Sequence, residues 1–462
     1  MKALLLSTYD LGHQPFGLAS PAAWLIEAGA EVRFLDLAVQ EFDEDAVIGA
    51  DLIAIHVPMH TATRLAESAI LRIKEINRKA HICCFGLYAP VNEEWLRSLG
   101  VHTVIGGEFE KPLTGLYRRL RNNSYVDGDP TVVSLDKQDF RRPHRVGLPS
   151  LDQYAQLIWP DDRRESVGYT EASRGCKHRC RHCPVVPVYN GQFRIIERDI
   201  VMADVRQLIA KGADHITFGD PDFFNGPGHT LRLVEDLHRE FPHLTYDVTI
   251  KIEHLLKRQK DLPTLKETGC LFVTTAVESV DDRTLLMLDK GHTRSDFHAA
   301  VAISRGVGLA LSPTFIPFTP WTTVLGYVDL LETVYSLGLV DALSPVQLSI
   351  RLLVPRGSRL RELNEWREHE DEFDPSALSF TWRHSDAAVE VLYRRVRDLV
   401  SDGESSGMER RQIFSKVWQA AHIAADLPTP ELKFTNIRSS HPYLSESWYC
   451  CAEPTEIQFA RV

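Results

Sequence analysis

The chain has 462 residues, 44% apolar and 25% charged, a globular composition with room for roughly two to four domains. Its formal charge of −11 excludes an extended phosphate-binding face, so no nucleic-acid partner is expected. It contains no run of eighteen apolar residues, so no membrane span is expected either.

The opening MKALLLSTYD has too short an apolar run for a signal peptide and reads as a buried strand. Across residues 1–122, strands are predicted at 3–9, 31–37, 51–57, 81–87 and 102–107. Helices are predicted near 19–28, 60–77, 92–99 and 110–121. Alternation of this kind implies a parallel sheet covered on both faces, with ligands beyond the carboxyl ends of its strands. The loops there are 7–17, 57–63 and 106–110. Residues 123–165 are polar and rich in Pro and Asp, and read as a linker over the surface; the basic run FRRPHR (140–145) within it reads as a solvated loop. From 166 to 365 the alternation resumes, with strands predicted at 167–173, 214–220, 244–250, 271–278, 309–316 and 346–353. Six such units predict an open, partial β/α barrel with functional residues at the strands' carboxyl ends. Residues 366–462 form an extension with helices near 386–401 and 407–424. The fold class expected is therefore α/β, with a mainly helical C-terminal part.

Eight cysteines in so long a chain indicate a reducing, cytoplasmic setting. Cys83 and Cys84 lie in an apolar strand and read as core, as does Cys270. Cys176, Cys180 and Cys183 are different. They fall in the loop EASRGCKHRCRHCP (171–184), and CxxxCxxC supplies three thiolates where iron–sulfur clusters are normally held by four. A cubane bound there keeps one iron open to an outside ligand. The alternative is a structural zinc site with His178 or His182 as fourth ligand, although zinc cysteines come as separated pairs and no second pair stands at a suitable distance.

The cysteine loop and the strand ends around it resemble the radical S-adenosylmethionine (SAM) superfamily over about 200 residues. The resemblance implies a [4Fe–4S] cluster on Cys176, Cys180 and Cys183, with SAM chelated to the open iron. It also implies an electron donor such as flavodoxin or ferredoxin. In such proteins the residue before the third cysteine, here His182, meets the adenine through its backbone. In GDPDFF (219–224), Asp220 or Asp222 suits the SAM ammonium. Lys251 suits its carboxylate, and Glu278 with Ser279 the ribose hydroxyls. Each of these residues taken alone is as readily a helix cap or a packed polar group. PFTPWTT (317–323) resembles the same segment of cobalamin-type radical SAM proteins, or is simply a proline turn.

Residues 1–122 resemble the cobalamin-binding domain that precedes many radical SAM domains, which makes cobalamin a candidate cofactor. The cobalt-ligand signature D-x-H-x-x-G appears here as DLGHQPFG (10–17), with one extra residue on each side of His13. At the other end, SESWY (445–449) followed by CCAEP (450–454) resembles a radical SAM family named for that tail, in which selenocysteine stands at one of the cysteine positions in some members. That resemblance implies that Cys450 and Cys451 handle substrate or product, since adjacent thiols bind soft centres and cycle through oxidised states. The expected function is reductive cleavage of SAM coupled to methyl transfer to a small molecule. Alternatives are a radical rearrangement, transfer of a SAM-derived group to a thiophilic centre such as arsenic, or a thiol-based metal or metalloid sensor without catalysis.

Overall fold

A computed structural model describes residues 1–125, 131–434, 441–446 and 453–461. The first sheet has six parallel strands: β1 (Lys2–Ser7), β2 (Glu31–Asp36), β3 (Leu52–His56), β4 (His81–Phe85), β5 (Thr103–Gly107) and β6 (Val132–Ser134). Their order is β2-β1-β3-β4-β5-β6. Helices α1 (Phe16–Glu27), α2 (Glu44–Ile48), α3 (His60–Ile76), α4 (Glu93–Ser98) and α5 (Glu110–Arg121) lie between successive strands of the six. Two separate apolar clusters fill the two sides of this sheet, as its continuous apolar strands require. The strand order reverses between β1 and β3, so the loops following them flank a topological switch point.

The segment expected as a surface linker is built in on both sides. It supplies β6 to the first sheet and β7 (Gln156–Ile158) to the second. Between them Arg145 is fully buried, with paired bonds to Asp204 at 2.7 and 2.8 Å and a bond to Gln14 at 2.8 Å. One cation in FRRPHR therefore ties the loop after β1 to the barrel. A buried Arg–carboxylate pair cannot be told from a solvated one by local sequence.

The second sheet runs β14-β13-β12-β11-β8-β7-β17. Five strands are parallel: β8 (Arg164–Thr170), β11 (His215–Phe218), β12 (Thr245–Thr249), β13 (Cys270–Glu278) and β14 (Ala310–Phe315). Strand β7 adds antiparallel to β8, and β17 (Tyr443–Leu444), from the C-terminal part, adds antiparallel to β7. A short hairpin, β9 (Ser173–Gly175) with β10 (Phe193–Ile195), encloses the cysteine loop and α6 (Val186–Tyr189). Helices α7 (Arg198–Ala210), α8 (Pro227–Glu240), α9 (Ile252–Lys257), α10 (Leu262–Glu267), α11 (Asp282–Leu288), α12 (Arg294–Gly306) and α13 (Val324–Ser336) cover the sheet. The sixth expected strand, 346–353, begins as a 3-10 turn at Pro345 and meets its neighbour through one bridge, Phe318 to Arg351. Pro345 has no N–H to offer a ladder.

Beyond the sheet lie α14 (Asn364–Arg367), the hairpin β15 (Glu370–Asp374) and β16 (Ser379–Trp382), and helices α15 (Ala387–Ser405), α16 (Arg410–Ala424) and α17 (Glu456–Arg461). No helix among the described residues is long and apolar enough to cross a membrane.

Candidate active site around the cysteine loop

The loop leaves β9 at Gly175, whose φ of +74 and crowding admit only glycine. A Cβ there would meet the Tyr189 ring at 2.4 Å and Gln192 O at 2.6 Å. Asn225, in the turn after β11, braces the loop by accepting from Lys177 N and donating to Gly175 O, both at 3.3 Å. On the far side the Arg181 guanidinium donates to Leu286 O and Met287 O at 3.0 Å. Cys176 and Cys180 are buried and Cys183 is half-buried. Burial pushes the Cys176 and Cys183 thiols up, so they keep their protons until a metal supplies positive charge.

Two lysines face these sulfurs. Lys251 Nζ, just after β12, lies 3.7 Å from Cys180 Sγ. Lys290, after α11, bonds Glu278 at 3.1 Å, and that carboxylate also meets His182 Nε2 at 3.2 Å. Glu278 ends β13 with φ +69, the left-handed region, where the β13–β14 register breaks. Holding a side chain there costs on the order of 1–3 kcal/mol. Burial would raise its carboxyl, but Lys290 and His182 outweigh that and hold it at about 2. Lys290 was not singled out in the sequence, because a lysine after a helix reads as surface; its pairing with Glu278 spans a fold contact.

The structure gathers His182, Glu278 and Lys251 about the cysteine loop. Ser279 instead accepts from Asp281 N at 3.1 Å. Asp220 spends both oxygens on the protein, accepting from Ala172 N at 2.9 Å and Ser173 Oγ at 2.5 Å. Burial raises its carboxyl to about 7 against those bonds. Asp222 faces two histidines, His254 at 2.6 Å and His178 at 3.6 Å. Arg174, two residues before Cys176, is a further residue that sequence reasoning missed. It is buried against Glu110 at 2.7 Å, Glu171 at 2.6 Å and Glu108 at 3.6 Å. This clasp joins the GGEFE loop of the first sheet to the strand that leads into the cysteines. The only local trace of it is the i, i+3 pair Glu171 and Arg174.

The cysteines suit a cluster better than a single zinc. Four ligands around one zinc at about 2.3 Å put sulfurs roughly 3.8 Å apart. Among the described residues, the three-ligand groups gathered within 4.8 Å do not include these thiols. A four-iron cubane, by contrast, spreads its thiolates over different irons.

The N-terminal loop is less accommodating. His13 is 5% exposed and stacks on Tyr169 at 4.7 Å, and burial lowers its pKa to about 4. In that position the ring is packed into the interface with the barrel. Beside it, the carboxyl edge of the first sheet and the C-terminal part enclose a cavity of about 1090 Å3, lined by Thr8, Tyr9, Gly12, Arg351, Trp382 and Glu453 among others. Glu453 meets His60 at 2.8 Å and Arg64 at 3.1 Å, and Tyr9 donates to Glu446 at 2.8 Å. Glu446 before the cysteine pair and Glu453 after it are thus both held at the first sheet's carboxyl edge. Cys450 and Cys451, with Trp448 and Tyr449, lie outside the described residues.

The cysteine loop lies at the carboxyl end of a parallel half-barrel, and the radical SAM superfamily model matches residues 170–324. That match implies a [4Fe–4S] cluster and SAM as cofactors. A Methanocaldococcus jannaschii protein provisionally classed as a methylthiotransferase is 21% identical over 312 residues, 63% of this chain and 66% of the relative. Bacteriochlorophyllide d C-12(1)-methyltransferase of Chlorobaculum tepidum is 22% identical over 59% of this chain and 57% of its own. The chain thus spans under two thirds of these curated relatives. Among solved structures, the cobalamin-dependent SAM radical enzyme OxsB superposes with a TM-score of 0.64 at 13% identity, over 92% of this chain and 75% of its own. The radical SAM methyltransferase TsrM from Kitasatospora setae gives 0.58 at 16%, over 73% and 70%. At these identities the likeness is one of fold, and the 92% of the chain covered by OxsB takes in both sheets.

Proposed function

We propose that the protein is a radical SAM transferase that cleaves SAM reductively at the cysteine loop and acts on a small molecule held between the barrel and the N-terminal sheet. The observation that carries this reading is three cysteines with two buried lysines at the carboxyl ends of five parallel strands. Bound there, the cluster supplies the electron that splits a carbon–sulfur bond of SAM, and a donor such as flavodoxin or ferredoxin must deliver it. The chain's own residues bind and orient. Gly175 and Asn225 fix the loop backbone, Lys251 offers its ammonium to the SAM carboxylate and to Cys180, and Glu278 is held beside His182 for the adenosine end. Asp220, spent on Ala172 and Ser173, orders the strand entering the loop.

Cobalamin-dependent methyl transfer is the more specific form of this reading. It is supported by the likeness to OxsB over both domains and by the 1090 Å3 cavity at the carboxyl edge of the first sheet. The cofactor would be held there without a histidine ligand and would supply a methyl carrier. The anchored flanks of the tail support a role for Cys450 and Cys451 in handling substrate or product at that cavity. Anaerobic reconstitution, with optical spectra and SAM cleavage followed with and without hydroxocobalamin, tests both levels. Absence of SAM cleavage by a fully loaded cluster defeats the first, and absence of cobalamin uptake defeats the second.

A further inference from the structure

We propose that His178, Asp222 and His254 form a second metal site, separate from the cysteine thiols, that takes zinc or a similar borderline divalent ion. His178 comes from the cysteine loop, Asp222 from the turn after β11, and His254 from the first turn of α9. One ligand atom from each lies within 4.8 Å of the others. Asp222 is fully buried, and the side chains of His254 and His178 are 6% and 15% exposed.

The way these atoms meet suits a shared cation. His254 Nδ1 approaches Asp222 Oδ2 at 2.6 Å and His178 Nε2 approaches it at 3.6 Å, yet none of the three atoms makes a hydrogen bond of acceptable geometry. Buried polar atoms are otherwise paired in folded proteins, because leaving one unsatisfied costs about 1–3 kcal/mol. Three of them converging on one point are satisfied together by a cation. Asp222 Oδ1 is used separately, accepting from Phe224 N at 3.0 Å, which fixes the carboxylate with Oδ2 toward the histidines. Behind His178, Glu253 Oε2 lies 3.5 Å from Nδ1. A carboxylate on the far ring nitrogen selects the tautomer that leaves Nε2 free to ligate, as around many histidine-bound metals.

Two imidazoles and one carboxylate are the donors of zinc and of other borderline first-row ions, and three protein ligands leave a position open to water or substrate.

Full-length protein, purified anaerobically, equilibrated with zinc and desalted, is expected to carry about one zinc per chain by elemental analysis. Asp222→Asn and His254→Ala should each weaken zinc retention at least tenfold, with circular dichroism unchanged. If either variant misfolds, Glu253→Gln, which leaves the ligands in place, should still weaken binding about tenfold or more. The Cys176→Ser/Cys180→Ser/Cys183→Ser chain should keep its zinc. Its zinc-edge X-ray absorption should show nitrogen and oxygen neighbours at about 2.0–2.1 Å and no sulfur near about 2.3 Å. No zinc in the wild type, zinc retained by Asp222→Asn and His254→Ala, zinc lost with the cysteines, or sulfur in the first shell would each overturn the assignment.

Discussion

Lys290 sets its ammonium 3.1 Å from Glu278 Oε1, and the two side chains are 3% and 10% exposed. Removing Glu278 strips the buried Lys290 of this carboxylate, and removing Lys290 leaves the buried Glu278 with His182 alone. At neutral pH, Lys290→Met is expected to destabilise the fold by about 3 kcal/mol, whereas Glu278→Gln/Lys290→Met should recover part of that loss. Chemical denaturation of the single and double variants reads the difference. Additive losses would mean that the pair is not coupled.

Loss of any one thiolate leaves the cubane under-ligated. Reconstituted wild type should hold about four irons and four sulfides per chain. Cys176→Ala, Cys180→Ala and Cys183→Ala should each fall below one iron and lose SAM cleavage, with secondary structure retained. Tight zinc in place of iron in the wild-type thiols would favour the single-ion alternative.

Lys251 stands 3.7 Å from Cys180 Sγ, so its charge stabilises the more negative, reduced cluster. Lys251→Met should shift the reduction potential to more negative values by about 60 mV, tenfold in a one-electron equilibrium. Potentiometric titration followed by electron paramagnetic resonance measures it. An unchanged potential would leave Lys251 with a SAM-binding role alone.

His13 is neutral in the fold, with its pKa lowered by burial from 6.5 to about 4. The unfolded chain therefore binds the extra proton first as pH falls, and stability contributed by the neutral ring is lost between about pH 6.5 and 4. The fall from 6.5 to about 4 corresponds to about 3 kcal/mol. His13→Phe keeps a ring against Tyr169 and should flatten that part of the stability–pH curve by this amount. Cobalamin uptake, if the wild type shows it, should be unchanged in the same variant, and its loss would return His13 to the cobalt.

In sequence the tail thiols fall between Glu446 and Glu453, which both contact the N-terminal domain. Cys450→Ser/Cys451→Ser should keep the cluster and abortive SAM cleavage while losing productive turnover and retention of a trivalent arsenical, because a hydroxyl is a poorer soft-centre ligand. Full activity after truncation beyond Ser447 would make the segment an appendage.

Sequence alone determined the elements whose signals are local. The apolar runs of β1 and β3 fixed parallel, two-sided burial, and the spacing of Cys176, Cys180 and Cys183 pointed to the radical SAM superfamily whose model matches that region, because both are properties of neighbouring residues. It could not assign partners to charges. Arg145 read as solvated but is buried on Asp204; Lys290 carried no signal and Arg174 only its i, i+3 neighbour Glu171, since Glu278, Glu108 and Glu110 are brought to them by the fold. The sixth barrel strand was lost to Pro345, and the supposed linker became β6 and β7 because each sheet had an open edge with unpaired N–H and C=O groups. His13, His178, Asp222 and His254 were visible as residues. Only tertiary structure decided that the first is packed away and the other three meet, because ligand geometry is set by where strand ends converge.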